Sequence, residues 1–174
     1  MKYLKYLVYV LVISSCSSIK VNYDYDKDID FNAFRSYNYY ANLETGMSEL
    51  DTERLLILLD STLYAKGYKL SSEPDFYVDI QSSDFQKASN SSVGIGVGGT
   101  SGNVGGGMSV GIPLGQSQRT RIVQIEFVDE KGKGLFWQAI CESNYNPNDL
   151  PEKREANLKS LVNKVFSAYP PNRK

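Results

Sequence analysis

Apolar and polar residues alternate with period two in several short runs of this chain, and two longer runs carry helical stripes. KVNYDYDKDID opens the first pattern: Val21, Tyr23 and Tyr25 alternate with Asn22, Asp24 and Asp26, which predicts a strand with one apolar face. SYNYY, from Ser36 to Tyr40, predicts a second strand. A helix follows, opened by Ser48 and Asp51 in the manner of a capping box, striped by Leu55, Leu56, Leu58, Leu59, Thr62 and Leu63, and closed by Gly67. DFYVDIQ puts Phe76, Val78 and Ile80 on one strand face. TRIVQIEFVD does the same with Val123, Ile125 and Phe127, and DEKGKG reads as a hairpin turn. LFWQAICE returns with Leu135, Trp137, Ala139 and Cys141 in step. A last helix is expected after Asp149 as cap and Pro151 in the first turn, with Leu158, Leu161, Val162, Val165, Phe166 and Tyr169 as its apolar stripe. These elements predict an α+β domain: a mostly antiparallel sheet with two amphipathic helices on one face, in the order β-β-α-β-(Gly-rich β hairpin)-β-β-α. The opposite face, with Asp24, Asp26, Asp79, Gln81, Gln124 and Glu126, is expected to stay solvated.

Between those strands lies SSVGIGVGGTSGNVGGGMSVGIPLG, residues 91–115, which holds ten of the 14 glycines. Gly94, Gly96 and Gly99 have the spacing of a dinucleotide fingerprint, but no helix follows to receive a pyrophosphate. No G-K-[ST] is present, which excludes a P-loop. Strict alternation also distinguishes the stretch from a flexible linker. Val93, Ile95 and Val97 alternate with glycine on one arm; Met108, Val110, Ile112 and Leu114 keep step on the other. These seven residues are the expected contact face of a β hairpin. That face either continues the main sheet beneath a helix or meets a membrane or another subunit, since a flat apolar strip left bare invites aggregation.

The N-terminus changes the picture of where such a hairpin works. Lys2 and Lys5 precede an apolar run from Tyr6 to Ile13 that is far shorter than the ~20 residues of a spanning helix. Residues 1–15 therefore read as a signal peptide. Ile13-Ser14-Ser15-Cys16 resembles the lipobox of bacterial lipoproteins. That resemblance implies cleavage between Ser15 and Cys16, with lipid on the Cys16 sulfur and amine. More than one acyl chain gives stable anchoring. Residues 16–19 are then a short lipidated tether, and residues 20–174 a single domain. No aspartate follows Cys16 directly, so nothing resembles an inner-membrane retention signal, and the outer membrane, in either leaflet, is the expected location.

Composition narrows the chemistry. Cleavage leaves 159 residues with 17 basic and 20 acidic side chains, a formal charge of −3, and no basic cluster for nucleic acid. With Cys16 lipidated, Cys141 has no partner for an intramolecular disulfide, and its place in an alternating strand marks it as a buried, inert thiol. The chain has no histidine, which excludes His-activated nucleophiles, a His base and His-ligated zinc. Asp24, Asp26, Asp28 and Asp30 invite a calcium reading, but an EF-hand loop from Asp24 would need Gly and Glu where Ile29 and Arg35 stand. They read instead as the charged face of an edge strand. Asp75 and Asp79 form a carboxylate pair without a third group, and Trp137 reads as core. No catalytic residue, metal or cofactor is expected. A rival to a non-enzymatic interaction role is a small-ligand or glycan-binding module that uses exposed tyrosines such as Tyr39, Tyr40 and Tyr145.

Taken in order, the lipobox, DYDKDIDFNAFRSYNY, PDFYV, the Gly-rich apolar hairpin and GLFWQA resemble the bacterial lipoproteins of domain-of-unknown-function family 4136. The resemblance covers nearly all of the chain after Cys16. It implies one α+β domain on a lipid anchor, and it transfers no activity and no catalytic residues.

Overall fold

The structure is a computed structural model that describes residues 19–86, 92–94, 111–113, 119–132 and 134–171. Its elements are β1 (Lys20–Tyr25), a 3-10 turn (Phe31–Ala33), β2 (Ser36–Tyr39), α1 (Glu49–Ala65), β3 (Lys69–Leu70) and β4 (Phe76–Gln86). After these come β5 (Ser92–Gly94), β6 (Gly111–Pro113), β7 (Arg119–Asp129), β8 (Gly134–Tyr145) and α2 (Pro151–Phe166). The fold is α+β, as the periodicity predicts. Six strands form one sheet in the order β1-β8-β7-β4-β2-β3. The ladders from β1 through β8 and β7 to β4 are antiparallel, whereas β2 runs parallel to both β4 and β3, so the sheet is mixed. The physical reason is α1. A helical crossover brings the chain back in its starting direction, so the strands on either side of it pair in parallel.

Both helices cover one face. Phe76, Val78 and Ile80 of β4, Val123, Ile125 and Phe127 of β7, and Trp137, Ala139 and Cys141 of β8 are buried against Leu55, Leu59 and Leu63 of α1 and Leu158, Leu161, Val162, Val165 and Phe166 of α2. Trp137 is thus core. Its ring lies tilted against Phe127 at 4.6 Å and meets Tyr169 edge-on at 4.9 Å. α1 ends as its sequence predicts. Gly67 takes φ +92°, the Tyr68 N–H donates to the Leu63 carbonyl, and the Gly67 N–H donates to the Tyr64 carbonyl, a Schellman closure.

Four local expectations are corrected. Leu135 is 46% exposed, while Phe136 and Trp137 are both buried. The β7–β8 register shifts between Phe127 and Val128, a bulge that lets two successive residues turn inward. Phe136 uses this to stack on Phe34 at 4.4 Å. The aspartates from Asp24 to Asp30 do not share one strand face, because β1 stops at Tyr25. Beyond it, Asp26 accepts the Asp28 N–H and Asp30 accepts the Asn32 N–H, holding successive turns. The cap of α2 is Leu150 with no side-chain bond, while Asp149 instead pairs with Lys153 at 2.8 Å. At α1, Ser48 accepts the Asp51 N–H as expected, but the Asp51 carboxylate turns inward rather than back to the cap.

Burial pushes the Cys141 thiol up to about 12, so little thiolate forms at neutral pH. A thiol reagent applied to the native domain should leave Cys141 unlabelled, and labelling should appear once the domain is unfolded in denaturant. Leu59→Ala, at a fully buried position, should cost about 2–5 kcal/mol in urea unfolding.

Candidate functional site

The inward face of the sheet becomes polar at one end. Arg121 continues the inward row of Val123, Ile125 and Phe127 and is 6% exposed. Asp84, its partner across the β4–β7 ladder, accepts from Arg121 Nε at 2.7 Å and from Nη2 at 2.9 Å. The third nitrogen, Nη1, donates to Asp51 at 3.2 Å. Asp51 sits in the first turn of α1, is 1% exposed, and also accepts from Arg54 at 3.0 Å and from Arg154 in the first turn of α2. Tyr145, at the end of β8, lies beneath the Arg121 guanidinium at 3.6 Å. Two carboxylates and three guanidiniums thus bind both helix N-termini to the sheet. Burial alone would lower the Arg121 pKa; the Asp84 and Asp51 hydrogen bonds outweigh it and raise it. Beside this network Ser143, Asn144, Asn157 and Leu158 line a space of about 20 Å³, room for a single water and not for a substrate.

A second polar node fixes β2 to α1. The hydroxyls of Tyr37 and Tyr39 donate to the same oxygen of Asp60, at 2.7 and 2.8 Å. Burial and the Asp60 charge both raise these tyrosines, so they stay protonated. Tyr40 lies on the other face, stacked on Tyr77 at 4.9 Å. The three tyrosines considered together as a binding surface therefore separate: Tyr39 under α1, Tyr40 on the helix-free face, Tyr145 at the sheet end. Asp75 and Asp79 separate as well. Asp79 accepts from its neighbours Ile80 and Gln81, and Asp75 closes a clip by accepting the N–H groups of Arg35 and Ser36 and the Ser36 hydroxyl. At the opposite end, Asp24, Tyr25, Leu135, Trp137 and Gln138 line an open groove of about 270 Å³. Among the described residues no group of three Asp, Glu, Cys or His side chains is placed to hold a metal.

Of the residues expected to form the hairpin face, Val93 and Ile112 lie directly opposite one another in the antiparallel β5–β6 ladder, flanked by Ser92 opposite Pro113 and Gly94 opposite Gly111. Ile95, Val97, Met108, Val110 and Leu114 lie outside the described residues, as do Ser15 and Cys16. β5 and β6 form a sheet of their own. Their register nonetheless continues that of β4 and β7. Gln86 pairs with Arg119, and five residues on each arm lead from that rung to the rung of Ser92 and Pro113.

Residues 21–171 match a family model, Domain of unknown function (DUF4136). The chain belongs to the DUF4136 family. A search of curated proteins finds no match to this DUF4136 chain. Among solved structures, a PDZ domain protein from Parabacteroides distasonis aligns with a TM-score of 0.55 at 14% identity, covering 96% of this chain but 40% of that protein. The PelC dodecamer from Paraburkholderia phytofirmans aligns in two crystal forms, with TM-scores of 0.50 and 0.51, at 11% and 10% identity, over 86% and 90% of this chain and 95% and 100% of that one. At these identities the likeness is one of fold.

The arginine–aspartate network was not anticipated from the sequence, although its signal was there. Asp51 lies four residues before Leu55 on the stripe that continues to Leu59 and Leu63, and Arg121 and Asp84 keep the inward parity of their strands. Asp51→Ala should destabilise the domain by about 3–5 kcal/mol, because it strands buried arginine charge. Asp84→Ala should cost less, since Asp84 is 34% exposed. Chemical denaturation of the two variants gives the comparison. For Asp75, burial raises the pKa, but the bonds from Arg35 and Ser36 prevail and lower it. Its stabilising contribution is therefore present near neutral pH and lost as pH falls through the lowered value. Asp75→Asn should remove that component from the acid limb of stability measured against pH.

Proposed function

We propose that this DUF4136 protein is a non-enzymatic cell-envelope lipoprotein of the outer membrane, anchored through lipid on Cys16, with the Gly-rich hairpin as its contact element for a protein partner or the membrane. The observation that carries this reading is the register of β5 and β6. The two arms keep the pairing of the central strands while belonging to a sheet separate from the six-stranded one. This supports a ribbon that leaves the domain over the reading that the arms widen its sheet. In the sequence, Val93, Ile95 and Val97 alternate with glycine, and Met108, Val110 and Ile112 keep the same alternation with small residues, which is the pattern of a strand with one methyl-bearing face.

The described chemistry fits an interaction role. Asp51, Asp60 and Asp75 meet arginines, tyrosine hydroxyls and backbone N–H groups that use them structurally, and Cys141 is buried. Among the described residues no helix is long and apolar enough to cross a membrane, which is compatible with attachment by lipid. The PelC structures, similar in fold, were solved as dodecamers, which makes self-association one contact to look for.

Two changes test the proposal separately. Cys16→Ser should abolish incorporation of labelled palmitate and release the chain from the membrane fraction. Replacing residues 95–110 by a two-residue Asn-Gly turn should leave the urea midpoint of the domain unchanged while abolishing cross-linking to envelope partners. Retention of every cross-link by a folded, membrane-bound deletion variant would remove the role assigned to the hairpin.

A further inference from the structure

We infer that the DUF4136 domain stands end-on against the lipid bilayer, with the first turns of both helices and the tip of β4 in contact with the lipid surface. This rests on the lipid anchor at Cys16 and goes beyond it by assigning the face that meets lipid. The argument is one of chain direction. β1 begins at Lys20, which lies opposite Glu142; Glu142 lies opposite Ile122, and Ile122 opposite Ser83. From there β1 runs away toward Tyr25 and its partner Trp137. The chain therefore enters the sheet from the end that also holds Tyr145, Arg119 and Gln86, the last rungs before residues 87–118. Lys20 is four Cα steps along the chain from Cys16, and those steps reach roughly 14 Å at full extension. The opposite end, at Leu135, is out of range, since the five steps from Lys20 to Tyr25 alone advance about 17 Å along the strand.

The exposed apolar side chains at the tethered end fit that contact. Leu150 is 72% exposed at the cap of α2, Leu50 is 61% exposed in the first turn of α1, and Phe85 is 39% exposed near the end of β4. Asp51 and Arg154 in the same first turns form an ion pair, which ties the two helix starts to one another. Leu150 occupies a cap position where a hydrogen-bonding side chain is strongly preferred, so its presence there is unexplained by helix chemistry. A bilayer at this end explains the leucine at the cap, and the rung of Gln86 and Arg119 would send the hairpin toward the same surface. The rigid network of Asp51, Arg121 and Arg154 keeps these groups at a fixed height relative to the tether.

The test uses the full lipidated chain in phosphatidylethanolamine–phosphatidylglycerol vesicles. An environment-sensitive fluorophore is placed through Leu50→Cys, Leu150→Cys or, at the far end, Leu135→Cys, each an exposed position at which labelling spares the core. Buried Cys141 stays unlabelled, and Cys16 is blocked by lipid. Nitroxide-bearing lipid should quench the probes at 50 and 150 several-fold more than the probe at 135, with a blue shift at the first two only. Equal quenching at the two ends, or stronger quenching at 135, in a chain whose Cys16 incorporates palmitate would overturn end-on docking and leave the anchor intact. A chain that incorporates no palmitate would overturn the anchor, and the docking with it. Leu50→Glu combined with Leu150→Glu should keep the urea midpoint and abolish the blue shift of a probe attached at Phe85→Cys; an unchanged shift would also overturn the docking.

Discussion

The Asp51 carboxylate is almost wholly withdrawn from water, and the arrangement of both helices on the sheet depends on how its charge is met. Arg121 reaches it from the sheet, Arg54 from its own helix and Arg154 from the other. Buried ion pairs return little net stability, because desolvation offsets most of the attraction. What they impose is geometry: any slip of α1 or α2 along the sheet leaves a charge without its partner inside the protein. The apolar stripes of the helices would tolerate such a slip far better, since leucine against leucine is satisfied at many offsets. The polar end thus sets the helix positions, and the apolar core supplies the free energy of folding.

Away from that end the core is aromatic. Phe34, Phe76, Phe127, Phe136, Trp137, Phe166 and Tyr169 form a continuous set of ring contacts. The bulge beside Phe127 is what admits Phe136 to this set, and through it the 3-10 turn of Phe31 is drawn onto the sheet. Gly46 shows how tight the packing of the connecting loop is: with φ +72°, it faces the Ser82 carbonyl at a separation that leaves no room for a Cβ. The outcome is a domain with a polar, helix-clamped end and an aromatic end, bridged by the long antiparallel ladders of β4, β7 and β8.

That polarity gives the proposed roles a common direction. The chain enters β1 from the same end at which β4 and β7 give way to the Gly-rich segment, and both helices begin there. An anchor at Cys16, a contact element in the hairpin and exposed leucines at the helix starts would all act on one side of the molecule. The opposite, aromatic end and its shallow groove would then face away from the membrane.

The existence of both helices, the Schellman end at Gly67, the one-sided sheet and the burial of Trp137 and Cys141 were legible in the sequence, because each follows from a local period or a single backbone requirement. The failures share a different origin. Leu135 reads as core by alternation, but a bulge is a property of two paired strands and resets the parity of one. Asp51 reads as a capping residue because nothing local announces Arg121 and Arg154, which arrive from elsewhere in the fold. The parallel pairing of β2, likewise, is decided by where the α1 crossover lands. Sequence by itself determined the elements and, away from the β7–β8 bulge and the polar end, the residues that face inward, since hydrophobic burial acts on every turn and every second residue. Tertiary structure alone decided which charges meet and which end of the domain holds the start of β1, the helix starts and the ends of β4 and β7, because those depend on the direction in which distant strands are laid together.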